Sequence, residues 1–205
     1  MTRPDPKPAD LLRTMAGAAA TGQPRSRGEV APGARDSAAA GTMEPCGDFD
    51  MRIGADGTWF YRNSPIGRLP LVKLFASVLR READGSYWLV TPVERGTIIV
   101  DDVPFVAVEV DAEGDGPSRK LSFRTNLDER VTADDSNPIR VEIDAATGEP
   151  RPYIHVRNGL EARILRPVYY QLVELGEFRE LDGKESFGIW SGGRFFTLGS
   201  IDGLR

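Results

Sequence analysis

Two short segments of the sequence carry side chains that suit the binding of an anion. Each segment has Arg and Asn side by side and a second Arg five residues after the Asn, and the segments lie 95 residues apart. An Arg guanidinium presents a planar fork of N–H donors that fits the oxygens of a phosphate or a carboxylate. Asn suits the loops that would hold such a fork in place. The candidate ligand-binding residues are Arg62, Asn63, Arg68, Arg157, Asn158 and Arg163.

Each segment leads from a predicted strand into a predicted helix. Apolar residues with helical spacing predict the first helix from Leu69 to about Arg81 and the second from about Ala162 to Leu175. A β-hairpin with an Asp-Gly turn is expected after each helix. Because the first N–H groups of a helix lack partners within it, a helix start attracts anions. Two such junctions that face each other would form a pseudo-symmetric anion site.

A purely structural explanation of the same residues stays open. Over nine aligned positions the two segments share three identities, which chance can produce. Arg and Asn before a helix can also serve as a turn and a cap, with each Arg paired to an Asp or Glu of an acidic chain. The shared order of strand, loop, helix and hairpin nevertheless favours an internal duplication.

The shortage of His and Cys excludes much of the usual chemistry of active sites. One Cys, Cys46, cannot form a disulfide within the chain, and together with one His, His155, it cannot supply the four ligands of a structural zinc site. No GxxxxGK[ST], GxSxG or GxGxxG motif occurs in a fitting context. The sequence therefore predicts no catalytic residue, no bound metal and no cofactor, and it favours binding over catalysis.

The charge of the chain argues against nucleic acid as a partner. The net charge is −5, and the part after Pro45 holds 20 basic and 26 acidic residues. Neutralising phosphates along a nucleic acid needs a surplus of Lys and Arg, so any basic site must be local.

No stretch approaches the roughly 18 apolar residues of a membrane-spanning helix. We expect a cytoplasmic protein without a membrane span.

The distribution of aromatic residues divides the chain into a tail and a folded part. Residues 1–47 contain no Phe, Trp, Tyr or Ile and are rich in Ala, Gly, Pro and Arg, so they are predicted to be disordered. All 17 aromatic residues follow, from Phe49 onwards. We predict a first α+β unit over 48–101 and a second, strand-rich unit over 102–205 that ends in a helix and a hairpin. The predicted fold class is α+β, with two related strand–helix–hairpin units and a mostly antiparallel sheet.

Several motifs resemble the bacterial domain-of-unknown-function family 1285. They are Asp56-Gly57-x-Trp59, Ser64-Pro65-Ile66-x-Arg68, Asp84-Gly85-x-Tyr87 and Gly159-Leu160-Glu161-Ala162-x-x-x-Arg166. The resemblance covers about residues 50 to 200. It implies a compact two-part α+β fold with a duplicated core, whose second half is loosely like a pleckstrin-homology barrel. It also implies a site for a nucleotide-like ligand at the junction of the halves and a role in bacterial signalling, although the family has no established activity.

These observations predict a non-catalytic protein that binds a small anionic ligand, such as a nucleotide, between its two halves. One alternative is a module that binds a protein partner through a sheet edge or a groove. A weaker alternative is a metal-assisted phosphohydrolase that uses Glu94, Asp101 and Asp102. The sequence leaves open the identity of the ligand, a protein partner and the oligomeric state.

Overall fold

The computed structural model of the chain describes residues 45–92, 94–181 and 183–200. The predicted tail, residues 1–47, lies outside the described residues except for its last three, which begin the first strand. Two helices and fifteen strands are present in the described part. The predicted two-part fold with few helices and mostly antiparallel strands is therefore confirmed in outline.

The first half is a six-stranded sheet with one helix. Its strands run in the order β3-β2-β1-β6-β5-β4, and all neighbours are antiparallel except β1 and β6, which are parallel. The helix connects the edge strands β3 and β4. The elements are β1 (Pro45–Ile53), β2 (Trp59–Tyr61), β3 (Ser64–Pro65), α1 (Leu69–Ser77), β4 (Leu79–Arg81), β5 (Tyr87–Val90) and β6 (Arg95–Val100).

The second half contains a six-stranded sheet, a helix and a three-stranded sheet. Its elements are β7 (Phe105–Glu113), a 3₁₀ turn (Gly116–Ser118), β8 (Lys120–Thr125), β9 (Arg130–Thr132), β10 (Ile139–Ile143), β11 (Pro150–Arg157), β12 (Leu160–Ile164), α2 (Arg166–Glu174), β13 (Glu177–Leu181), β14 (Lys184–Ser191) and β15 (Arg194–Ser200). The larger sheet has the order β10-β11-β12-β7-β8-β9, in which only β12 and β7 are parallel. The smaller sheet, β13-β14-β15, lies against β8 and β10, so the second half curls into a half-barrel.

Both halves contain the same succession of elements. Three antiparallel strands lead to a helix of nine residues, and three more antiparallel strands follow: β1 to β6 with α1, and β10 to β15 with α2. In the first half the two groups of strands join through the parallel pair β1–β6. In the second half the corresponding strands β10 and β15 only lie against each other, and the additional strands β7 to β9 extend the sheet beside β12.

The predicted bounds of both helices were wrong. The first helix ends at Ser77, because the next residues form β4, in which the fully buried Leu79 pairs with Leu89. The second helix begins at Arg166 rather than near Ala162. Residues 160–164 alternate between buried and half-buried positions, which is the period of a strand, and Pro167 stands in the first turn of the helix.

One apolar core runs through both halves. In the first half Trp59 stacks on Phe75 of α1, with ring centroids 6.2 Å apart, and in the second half Phe105 and Phe123 are fully buried in the same cluster. The turn between β1 and β2 also touches the second half, because Asn126 donates a hydrogen bond to the carbonyl of Gly57 at 3.3 Å. The two halves therefore form one packed unit.

Replacing Gly57 by Ala should destabilise the protein by about 3 kcal/mol. Gly57 has a φ of +79°, and an added Cβ would lie 2.5 Å from Asn126 Nδ2 and 2.9 Å from Val106 Cγ2, both in the second half. Gly85→Ala is the matched control, since its φ is +87° but no atom lies within 4 Å of an added Cβ. The control should cost about 1 kcal/mol. Urea denaturation measures both values, and equal losses would show that the contact with Asn126 is unimportant.

Candidate functional site

A cleft of about 710 Å³ lies where the first half meets the second. Ala55 and Asp56, from the turn between β1 and β2, form one wall. The other wall comes from the start of β11, the end of β12 and the first turn of α2. Its volume is within the range of small-molecule sites, which is roughly 300–1,000 Å³.

The start of α2 leaves backbone N–H groups at the edge of this cleft. Leu165, the residue before the helix, makes no side-chain cap, and the first turn contains no acidic residue. Pro167 has no N–H, and the N–H of Tyr169 is the one that bonds back to the carbonyl of Leu165, at 2.9 Å. The positive end of the helix dipole therefore faces the cleft without a carboxylate of its own helix beside it.

Three Arg residues line the cleft, and each has a carboxylate partner. Arg163 lies 3.0 Å from Asp102, Arg166 lies 2.6 Å from Glu149, and Arg151 lies 2.5 Å from Asp144. Arg166 and Glu149 are both more than half exposed. Such surface ion pairs contribute about 0–1 kcal/mol, so an incoming anion can displace Glu149 at little cost.

Arg163 is held more firmly than Arg166. Asp102 accepts hydrogen bonds from Arg163 at 3.0 Å and from the hydroxyl of Tyr153 at 2.9 Å, and the Arg163 guanidinium lies over the Tyr153 ring. Burial, and next the hydrogen bond to Asp102, raise the pKa of Tyr153 above its usual value, so this hydroxyl stays a donor. Arg163 therefore presents a positioned charge at the cleft wall.

Arg157 connects the two halves instead of lining the cleft. It stands at the end of β11, donates to Glu129 at 3.0 Å, and donates to the carbonyl of Ala76 in the last turn of α1 at 2.9 Å. Its guanidinium also lies 5.5 Å from the centroid of the buried Phe105 ring. A positively charged group near the last carbonyls of a helix is favourable, because it complements the negative end of the helix dipole.

The Arg-Asn pairs do not lie at strand-to-helix junctions, which corrects the predicted placement. Arg62 and Asn63 form the turn between β2 and β3, with φ values of 47° and 62°; Asn158 and Gly159 form the turn between β11 and β12, with φ values of 49° and 73°. Both central residues have positive φ, as tight hairpins require. The matching turns are therefore 96 residues apart, and Arg62 corresponds to Asn158 rather than to Arg157.

The remaining predicted residues lie on the surface of the first half or at the turn of the second. Arg62 forms an ion pair with Asp50 at 3.4 Å and lies over the Tyr61 ring. Arg68 is exposed just before α1, where its carbonyl accepts the N–H groups of Leu71 and Val72. Of the six predicted residues, Arg163 lines the cleft, and Arg62, Asn63, Arg68, Arg157 and Asn158 do not.

The carboxylates of the phosphohydrolase hypothesis do not form a cluster. Asp101 pairs with Arg52 at 2.9 Å, whereas Asp102 faces Arg163 and Tyr153. Within residues 45–92, 94–181 and 183–200 there is no group of three or more His, Cys, Asp or Glu placed to hold a metal ion. His155 has a structural role: its Nδ1 lies 3.0 Å from the carbonyl of Ser136, and its Nε2 accepts the N–H of Gly159 at 3.1 Å.

Two family models together match most of the described chain. The model described as "Domain of unknown function (DUF1285), N-terminal domain" matches residues 42–103, and "Protein of unknown function (DUF1285), C-terminal domain" matches residues 104–198. The chain belongs to the DUF1285 family. The resemblance seen in the motifs is thereby confirmed.

Solved structures of DUF1285 proteins are similar to this chain. The crystal structure of a DUF1285 family protein from Silicibacter pomeroyi DSS-3 is 50% identical in sequence with a TM-score of 0.71, and the match covers 78% of this chain and 84% of that one. A second DUF1285 family protein, from Shewanella baltica OS155, is 26% identical with a TM-score of 0.49, covering 60% of this chain and 90% of that one. No curated protein matches the chain.

Sequence reasoning missed several cleft residues of this DUF1285 protein. Arg151, Arg166, Tyr169 and Tyr170 line the cleft but were not among the predicted binding residues. A signal for Arg166 was present, because Pro is favoured in the first turn of a helix and Arg166 directly precedes Pro167.

In the described part of the chain, no helix has the length and apolar character needed to span a membrane.

Replacing Arg157 by Met should destabilise the protein by about 2 kcal/mol, because Ala76 and the half-buried Glu129 lose charge-assisted hydrogen bonds. The control is Arg130→Met, whose exposed ion pair with Asp111 lies wholly within the second half. The control should change stability by less than about 1 kcal/mol. Chemical denaturation of both variants gives the comparison. A loss no larger than that of the control would mean that Arg157 does not hold the halves together.

Stability should fall with rising pH above about 10, since three buried or half-buried tyrosines resist ionisation. Burial raises the pKa of Tyr87, Tyr153 and Tyr169 above the ordinary value of 10.0. The unfolded chain then releases these protons first, so the stabilising contribution is complete below pH 10 and is lost as pH rises through the folded-state pKa values.

The pH dependence can be assigned with one substitution. Tyr153→Phe should reduce the slope of unfolding free energy against pH between about 10 and 11. Tyr170→Phe, which changes a largely exposed ring, is the control. Thermal unfolding followed by circular dichroism across this pH range provides the slopes, and identical slopes for Tyr153→Phe and the original protein would contradict the assignment.

Proposed function

We propose that this protein binds a small anionic ligand, most simply a nucleotide, in the cleft between its halves, and that it does so without catalysing a reaction. The observation that carries the proposal is the start of α2, which opens on the cleft without a cap and with Arg151, Arg163 and Arg166 around it. Backbone N–H groups at a helix start and Arg side chains together form a recurrent binding site for phosphate.

The charge of the rest of the protein makes this site distinctive. The chain carries a net charge of −5, yet the second-half wall of the cleft brings together the start of a helix and three guanidinium groups, each paired with one carboxylate. Glu149 neutralises Arg166 only through an exposed pair. A phosphate can take the place of this carboxylate and also reach the N–H groups that Glu149 does not cap.

The shape and lining of the cleft favour a nucleotide over a bare phosphate. Tyr170 is 55% exposed and offers a ring face on which a base can stack. Asp56, on the opposite wall, accepts both the N–H and the hydroxyl of Thr58 at 2.9 Å, and these bonds lower its pKa, so it stays ionised. An ionised carboxylate there can accept a hydrogen bond from an amino or hydroxyl group of a nucleoside.

We further propose that the half-barrel of the second half is loosely like a pleckstrin-homology barrel. We also propose a role in bacterial signalling, which agrees with a protein that binds its ligand between two halves. Arg62, Asn63, Arg68, Arg157 and Asn158 are proposed to act indirectly, by shaping the turns and the interface beside the cleft.

Calorimetric titration and thermal shift with AMP, ADP, ATP, GTP and inorganic phosphate test the proposal. We expect at least one nucleotide to bind and to raise the melting temperature, with tighter binding than phosphate alone. Arg151→Gln combined with Arg166→Gln should weaken binding about tenfold or more, because each lost charge-assisted hydrogen bond costs roughly 1.5–3 kcal/mol. Arg124→Gln combined with Arg130→Gln, which changes two guanidinium groups outside the cleft, should leave affinity unchanged.

Asp56→Ala separates a nucleotide from other anions. It should weaken nucleotide binding while strengthening the binding of inorganic phosphate, since it removes both an acceptor and a negative charge. If no nucleotide or other phosphate compound stabilises the protein, or if the Arg151 and Arg166 substitutions leave affinity intact, the cleft is not an anion site. Arg62→Ala combined with Arg157→Ala tests the indirect role of the other predicted residues, and unchanged binding would remove it.

A further inference from the structure

The strand β13 forms an edge of the small sheet that is open within the described residues. The sheet order is β13-β14-β15, and all five residues of β13 are exposed. The strand pairs with β14 without a register shift, and it contains neither Lys nor Pro. Proteins commonly protect an exposed edge with a bulge, Pro or charged side chains, Lys above all, because its unpaired N–H and C=O groups invite another strand. A bulge, Pro and Lys are missing from β13, and its three charged residues, Glu177, Arg179 and Glu180, are of both signs and can pair with those of a second copy.

Exposed apolar side chains are concentrated in the segment of the chain that leads into this edge strand and includes it. Six of the nine large apolar side chains that are exposed in the described part of the chain lie between residues 165 and 181. Among them Phe178 is 57% exposed and packs on Phe187 with ring centroids 4.9 Å apart. Phe187 itself packs against the core. The contact of Phe178 with Phe187 therefore extends the apolar packing from the core to the open edge.

The pairing with β14 determines which backbone groups of β13 point outwards. Leu181 lies opposite Lys184 across a two-residue connection, so this closing pair is a hydrogen-bonded one. Hydrogen-bonded and non-hydrogen-bonded pairs alternate along an antiparallel ladder. The N–H and C=O groups of Leu181, Arg179 and Glu177 consequently point to β14. Those of Phe178 and Glu180 point away from it and are available to a further strand.

The charges of β13 favour one symmetric way of adding a second copy. Two copies of β13 that pair antiparallel are related by a two-fold axis between the strands. Residues directly opposite each other have their side chains on the same face of the sheet, so the axis must lie at a residue that faces its own copy. An axis at Arg179 would place two Arg residues opposite each other, and an axis at Glu180 would do the same with two Glu residues. An axis at Phe178 places Phe opposite Phe and puts Glu177 of each copy opposite Arg179 of the other.

We propose that β13 pairs antiparallel with β13 of a second copy of this chain, with the two-fold axis at Phe178. The two small sheets then form one six-stranded antiparallel sheet, β15-β14-β13-β13-β14-β15. Its centre holds a pair of Phe rings and two cross-strand ion pairs, each of which favours the association. The outward N–H and C=O groups of Phe178 form the central hydrogen-bonded pair. This interface is separate from the cleft, which β13 does not line.

Sedimentation of the full chain over a range of concentrations tests the dimer. We expect a species of twice the chain mass that dissociates on dilution. Phe178→Lys should weaken the association at least tenfold, because two Lys residues would then face each other at the axis. Ile143→Lys is the matched control: Ile143 is 62% exposed on β10, and its replacement should leave the association constant unchanged.

A charge exchange tests the register itself. Glu177→Lys should weaken the dimer, since Lys would face Arg179 of the second copy, and adding Arg179→Glu should restore it. The exchange also alters contacts within one chain, because Glu177 accepts the indole N–H of Trp190 at 2.9 Å and Arg179 lies over the Trp190 ring. The association constants of the single and double variants are therefore compared at a temperature at which both variants are fully folded. If either variant fails to fold, Phe178→Lys tests the interface independently.

Two results would overturn the proposal. One is a full chain that stays monomeric at all concentrations; hydrogen exchange then tells whether the amides of Phe178 and Glu180 are covered by another segment of the chain or open to solvent. The other is a dimer that survives both Phe178→Lys and Glu177→Lys, which would place the interface elsewhere. In the proposed dimer the amides of Phe178 and Glu180 become protected as concentration rises.

Discussion

The rest of the structure depends on the burial of a single apolar core by both halves. Trp59 and Phe75 from the first half belong to the same buried cluster as Phe105 and Phe123 from the second. The first half, one six-stranded sheet with a nine-residue helix, is small and has a limited core of its own, so it gains stability from covering the second half. The closure also brings the turn at Ala55 and Asp56 over the second half, and this contact forms one wall of the cleft.

The interface between the halves separates the Arg residues into two kinds. Arg157 and Arg163 are largely covered and are held by fixed partners, the first by Glu129 and a helix carbonyl and the second by Asp102. Arg166 is exposed and shares a carboxylate that solvent can reach. Covered pairs position elements because breaking them leaves a charge without a partner, whereas exposed pairs exchange readily. In the proposed site, an anion would therefore replace the carboxylate of the exposed pair at the start of α2 rather than the partners of Arg157 or Arg163.

The two halves arrange the same succession of elements differently. The halves share the order of three strands, a helix and three strands, but the first closes its sheet through β1 and β6. In the second half β7 occupies the side of β12, and β13 to β15 form a separate sheet. In both arrangements the first strand after the helix is an edge strand: β4 in the first half and β13 in the second, where β13 has one unpaired side among the described residues.

The amino-acid sequence by itself determined the local character of the chain. Period-two and helical patterns indicated the strands and the two helices, and the motifs identified the family. Local spacing could not locate the ends of the helices, because whether residues 79–81 and 160–164 become strands depends on partners far along the chain. The same limit applies to the site. The sequence offered Arg163 together with five residues that do not line the cleft, because the face on which a side chain lies is decided by strand register and by turns such as Arg62-Asn63 and Asn158-Gly159. Only the tertiary structure, through the long-range parallel pairs β1–β6 and β12–β7 and the packing of the two halves, placed Arg151 on the same cleft as Arg166, the first residue of α2.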